Sequence, residues 1–184
     1  MEVKNEKSKV QHKAYSSGSS VTPLSTETLA KNMTICENWN LSIDLKLTSR
    51  STTEWTNVFS LYVDQNTGKL DQRILEVSVR PDQSKLMLIL AYKIDTSQSY
   101  EYSIRKKVNA GNWINLKISQ KSGVYEIMVD YKIVYNKTNV IPKLWRDVNL
   151  ITGNVNGKNN SFTIVHYRNF EIITCKTRGK TRIN

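Results

Sequence analysis

The sequence predicts an all-β sandwich of two facing antiparallel sheets, on three observations. Apolar and polar side chains alternate with period two along most of residues 41–173, turn-forming residues interrupt that alternation at short intervals, and no segment keeps a helical period over three turns. A sheet that is apolar on one face and polar on the other must cover its apolar face, and a second sheet of the same pattern does so. No internal repeat of about 20–50 residues is present, so a propeller or solenoid is not expected.

The elements follow in order. Residues 1–30 are polar, rich in Lys, Ser and Thr, and include the linker-like run Ser16-Ser17-Gly18-Ser19-Ser20, so they read as a flexible basic arm with order beginning near Met33. Leu41, Ile43, Leu45 and Leu47 alternate with polar residues, as do Phe59, Leu61 and Val63, giving two half-buried strands. Asp64-Gln65-Asn66-Thr67-Gly68 is turn chemistry, and Leu75, Val77 and Val79 alternate up to Pro81-Asp82. Leu86–Tyr92 is apolar on both faces and reads as a central strand; Tyr100, Tyr102 and Ile104 share one side of the next. Ile114, Leu116 and Ile118 follow the Asn109-Ala110-Gly111 turn, and Tyr125, Ile127 and Val129 follow Lys121-Ser122-Gly123. Short strands at Ile133–Tyr135 and Val148–Leu150 precede an Asn/Gly-rich stretch, and the last strand covers Phe162–Ile173. The division expected is an arm over 1–30, a sandwich domain over 31–175 and a basic tail over 176–184.

The second half adds a more specific pattern. Gly111-Asn112-Trp113-Ile114-Asn115-Leu116-Lys117-Ile118 is followed by Tyr125-Glu126-Ile127-Met128-Val129-Asp130, then by Asp147-Val148-Asn149-Leu150 and Arg168-Asn169-Phe170-Glu171-Ile172. In that order the segments resemble the concanavalin A-like lectin/glucanase jelly roll, in the laminin-G and pentraxin-like branch of extracellular invertebrate proteins, over roughly residues 37–174. The resemblance implies a jelly-roll sandwich in which Trp113 and Trp145 pack, and a calcium ion as the cofactor to look for. It departs at Tyr131, where the family often has glycine, so a longer or differently shaped turn is expected there.

Charge and cysteines narrow the partners. With 27 basic and 16 acidic residues the net charge is +11, a field that favours sulfated glycans, acidic lipid, nucleic acid or acidic proteins. Lys176, Arg178, Lys180 and Arg182 concentrate that charge in the tail. The two cysteines, Cys36 and Cys175, flank the strand-rich region, where a bridge between them would close nearly the whole domain. Sequons stand at Asn32, Asn40, Asn136 and Asn159. The first twenty residues hold no apolar core of a signal peptide, so either the protein is intracellular or a leader has been removed. The resemblance and the cysteine placement point to an extracellular location, a cytoplasmic one being the alternative.

Catalytic chemistry was tested against the residues present. Retaining glycoside hydrolysis needs two carboxyl groups about 5–5.5 Å apart, and no two acidic residues stand at i, i+2. Glu126 and Asp130 would lie over 13 Å apart on a strand, roughly. His12 falls in the arm and His166 alone in a strand, where a structural role is the default. Asp64, Asn66 and Asp71 in one loop, and Asn154, Asn156 and Asn159 in another, are poor in the charged oxygens calcium requires, so no cofactor is expected.

These readings lead to a non-catalytic extracellular recognition or adhesion module for a glycan or cell-surface protein. Its contacts are expected at Trp55, Tyr92, Tyr100, Asn154 and Asn156, where aromatic faces and amides suit sugar rings. The alternative is a polyanion binder acting through its basic tails, with nucleic acid disfavoured because no strand interleaves basic and aromatic residues. A self-associating structural protein is the third reading.

Overall fold

The computed structural model describes residues 11–47, 56–63, 73–82, 85–92, 102–109, 111–140, 144–153 and 165–175. Among them there is no helix, and thirteen strands form two antiparallel sheets facing one another: a jelly-roll sandwich. The first sheet, A, contains β1 (Gln11–Ser16), β2 (Thr22–Pro23), β4 (Trp39–Leu47), β9 (Trp113–Lys121), β10 (Val124–Val129), β11 (Lys132–Lys137) and β13 (Val165–Cys175). Its order is β1-β13-β4-β9-β10-β11, with β2 also paired to β13. Sheet B is ordered β3-β12-β5-β6-β7-β8, from β3 (Glu27–Ile35), β5 (Thr56–Val63), β6 (Arg73–Asp82), β7 (Lys85–Tyr92), β8 (Tyr102–Val108) and β12 (Trp145–Thr152).

The alternation seen in the sequence builds the core. Leu41, Ile43, Leu45 and Leu47 of β4, with Ile114, Leu116 and Ile118 of β9, face Phe59 and Leu61 of β5 and Leu75, Val77 and Val79 of β6, all of them buried. Phe170 of β13 joins the layers: its ring lies 5.0 Å from Phe59 and makes edge contacts with Tyr15 at 5.4 Å and Tyr167 at 6.1 Å. Such pairs add about 0.5–1.5 kcal/mol each beyond their burial.

Three sequence expectations are corrected here. Residues 11–30 are not part of a flexible arm. β1 pairs with β13, and β3 pairs with β12 along its length, so the sandwich begins by Gln11. The alternation of β3 is broken where Asn32 takes a left-handed conformation (φ 54) and the register with β12 shifts, which hides the strand from a period-two search. Second, the β10–β11 turn is not lengthened at Tyr131. Val129 pairs with Lys132, so Asp130 and Tyr131 form a two-residue turn, both left-handed at φ 51 and 62. That geometry is the twist-matched hairpin turn, and for a non-glycine residue it costs about 1–2 kcal/mol. Third, Trp145 packs against the core, but Trp113 lies on the outer face of sheet A.

Cys36 is buried, and its N–H donates to Thr174 Oγ1 at 2.9 Å, while Thr174 Oγ1 donates to the Thr34 carbonyl at 2.9 Å. The end of β3 is thereby tied beside the end of β13. No described helix is long and apolar enough to cross a membrane.

Candidate functional site

The pattern that buries one side of each strand of sheet A sends the other side outward. On β4 the outer face carries Asn40, Ser42, Asp44 and Lys46; on β9 Trp113, Asn115, Lys117 and Ser119; on β13 His166 and Arg168. The register sets these side by side. His166, Lys46 and Trp113 form one row across β13, β4 and β9, and Arg168, Asp44 and Asn115 form the next. Strands lie about 4.8 Å apart and same-face residues about 6.8 Å apart along a strand, so all six groups can meet one small ligand.

Asp44 organises the second row. Its Oδ1 accepts from Asn115 Nδ2 at 2.8 Å, and its Oδ2 accepts from Asn169 Nδ2 at 2.8 Å and from Arg168 Nε at 3.4 Å. Asn169 reaches it because β13 carries a bulge there, with Asn169 at φ 50 and the register against β4 shifting between Arg168 and Glu171. The Arg168 guanidinium lies 4.2 Å from the centre of the Trp113 ring, a cation–π arrangement that holds it flat on the sheet. The His166 Nδ1 is buried without a hydrogen-bond partner among the described residues. Lys13 pairs with Glu171 at the β1 margin of this face.

Sheet B presents a different outer face. Asn57, Ser60, Ser78 and Asn149 point away from the core yet are buried. Asn57 Nδ2 donates to Ser60 Oγ at 2.8 Å, Ser78 Oγ donates to Glu76 Oε1 at 2.9 Å, and Asn149 Oδ1 accepts the Asn32 N–H at 3.0 Å. Glu27 and Lys31 of β3 and Arg146 and Asp147 of β12 are exposed at the other end of this sheet. On sheet A an imidazole, a guanidinium and an ammonium stand in two adjacent rows of one face. No group of three or more His, Cys, Asp or Glu among the described residues could hold a metal ion.

Most residues singled out in the sequence as contacts cannot be placed. Trp55, Tyr100, Asn154 and Asn156, the basic tail Lys176, Arg178, Lys180 and Arg182, and the loops bearing Asp64, Asn66, Asp71 and Asn159 lie outside the described residues. Tyr92 ends β7 opposite Leu75 and Tyr102, with its side chain outside that set. The sandwich instead assembles Lys46, Trp113, His166 and Arg168, which sequence reasoning passed over. The available signal was that each stands opposite a core residue in its strand's alternation. The pairing across β13, β4 and β9, between residues distant in sequence, was not available.

No family model and no curated protein matches this chain. Solved structures do. An alginate lyase from Pseudomonas aeruginosa superposes with a TM-score of 0.56 at 10% identity, over 76% of this chain and 65% of that one. An alginate lyase from an Alteromonas species gives 0.52 at 11% identity, over 79% and 75%. The binding domain of botulinum neurotoxin serotype G gives 0.52 at 9% identity, over 94% and 45%. The chain thus spans just under two thirds of the Pseudomonas enzyme.

At such identities the likeness establishes the fold alone, a two-sheet jelly-roll sandwich. It also corrects the expectation of a non-catalytic recognition module, because several solved structures sharing this fold are polysaccharide-cleaving enzymes. Paired carboxylates are a requirement of glycoside hydrolysis, whereas a lyase cleaves by elimination, without water, and has no need of that pair. A base and a cation suffice for it, and sheet A presents both.

Proposed function

We propose that this domain processes an acidic polysaccharide, cleaving a uronate linkage by elimination on the outer face of sheet A. One observation carries the reading: the imidazole of His166 and the cations Lys46 and Arg168 project from two adjacent strands into one outward layer. The likeness of the sandwich to alginate lyases supports it.

The roles follow from the chemistry of the bond. A proton next to a sugar carboxylate is acidified when a cation neutralises that carboxylate, and Lys46 and Arg168 supply positive charge for it. His166 takes the C5 proton as general base. The C5 electron pair forms the C4=C5 double bond, the C4–O bond breaks, and the departing oxygen takes up a proton from solvent water, while the imidazolium of His166 returns its proton to solvent. Trp113, beneath Arg168, keeps the guanidinium in place.

The test is to incubate the protein with alginate, polygalacturonate and hyaluronan and follow the ultraviolet absorbance of the unsaturated product. Turnover is expected on one of them, falling by about 10²–10⁴-fold in His166→Gln. Wild-type protein that leaves all three intact, or His166→Gln at full rate, overturns the reading.

The motif order at residues 111–172 supports a place near the laminin-G and pentraxin-like branch of the fold. An extracellular location with a Cys36–Cys175 bridge belongs to the same proposal. It is supported by the Cys36–Thr174 hydrogen bond at the end of β13 and by the absence of a free cysteine among the described residues. Of the sequons, Asn32 and Asn136 are exposed, whereas Asn40 is half-buried on the outer face of sheet A. Glycans at the first two leave the His166–Lys46 row open. Intact mass with and without reductant, on protein from a secreting host, reads bridge and glycans together.

A further inference from the structure

The β10–β11 turn contains a strained residue whose side chain gains little burial among the described residues. Tyr131 is held left-handed at φ 62, where glycine would sit without strain, and it is 80% exposed, so burial returns little for that strain. The turn is nevertheless held firmly. Asp130 N–H donates to the Asn115 carbonyl at 2.8 Å, and Asp130 Oδ1 accepts the Asn115 N–H at 3.0 Å. Asn115 is in turn bound through its side chain to Asp44. A continuous path of hydrogen bonds therefore runs from the turn to the middle of the charged row, fixing where Tyr131 stands relative to it. Beside the turn, Met128 of β10 pairs with Ile133 of β11, which is 57% exposed, so the margin of this face is apolar where its centre is charged.

We propose that Tyr131 is a saccharide-stacking residue at the edge of the sheet A site, its ring packing on the C–H face of a pyranose unit further along the chain than the one held by Lys46 and Arg168, across β9 and β10. This rests on the acidic-polysaccharide reading above and adds a binding position to it. A uronate chain has carboxylates along one side and ring C–H surfaces between them. A charged centre with an aromatic at its margin matches both.

The experiment is calorimetric titration of the full chain, and of Tyr131→Gly and Tyr131→Phe, with a defined alginate oligosaccharide. Tyr131→Gly is expected to bind about fivefold to tenfold more weakly, and Tyr131→Phe, which keeps the ring, within about twofold of wild type. The glycine variant should also melt higher than wild type, so weaker binding could not be ascribed to unfolding. Equal affinity of wild type and Tyr131→Gly overturns this inference and leaves the functional reading standing. A wild type without affinity for the oligosaccharide or turnover of any acidic polysaccharide overturns both. Loss of binding to anionic lipid vesicles in Tyr131→Gly, with saccharide affinity unchanged, would assign the turn to a membrane surface and overturn the inference.

Discussion

Asp44 concentrates more of the outer face of sheet A than any other single residue described. Its carboxylate collects three donors from two neighbouring strands, two of them side-chain amides. Truncation leaves those donors to water or to one another. Asp44→Ala is expected to cost about 1–3 kcal/mol in urea denaturation, the range for removing a charged acceptor, and to release Arg168 from its setting. The Arg168 pair itself contributes little of this, since that guanidinium is more than a third exposed. The buried tyrosines give a separate expectation. Burial, and then the neighbouring Tyr135, raises the Tyr125 pKa; burial, and then Tyr167, raises that of Tyr15. In an unfolded chain these hydroxyls ionise near pH ~10. Below that value neither state loses a proton and the full stability is present. Above it the unfolded chain deprotonates first, so stability falls as pH rises. Tyr125→Phe should make that alkaline decline shallower, measured as denaturation midpoint against pH.

At the scale of the elements, the strands easiest to read from sequence are those whose alternation is unbroken: β4 and β10 carry apolar residues at every second position facing the core, and β9 does so up to its buried Gln120. β3 and β13 are harder because a left-handed asparagine interrupts each, at Asn32 and Asn169. After such a residue the inward face moves by one position. In β13 Tyr167 and Phe170 are both buried although three residues apart. Strict alternation from Tyr167 would turn Asn169 inward, and the bulge places Phe170 there instead. Because Phe170 touches Phe59 across the sheets, Phe170→Ala is expected to cost about 3–5 kcal/mol, the usual penalty for a large cavity between layers. Tyr131→Gly, in the hairpin between β10 and β11, should stabilise by about 1 kcal/mol through relief of its left-handed backbone, read from thermal melts.

At the scale of the molecule, the first and last described strands are neighbours, and β1 against β13 brings the two ends of the domain together. The proposed Cys36–Cys175 link would tie the end of β3, in the other sheet, to the end of β13 at that junction. Cys36→Ser, or reductant on the wild type, is expected to lower stability by roughly 3–5 kcal/mol, since the closed loop includes most of the chain. Equal midpoints with and without reductant would remove the link from the description. The fold class was legible in the sequence because alternating apolar and polar side chains admit one solution, two sheets packed face to face. What the alternation leaves open is which strands are neighbours. His166, Lys46 and Trp113 are each ordinary outward residues of separate strands, and they become one row only when β13 and β9 flank β4. Period-two patterning reports burial strand by strand, whereas a site on a sheet face depends on register between strands distant in sequence, which the tertiary structure alone sets.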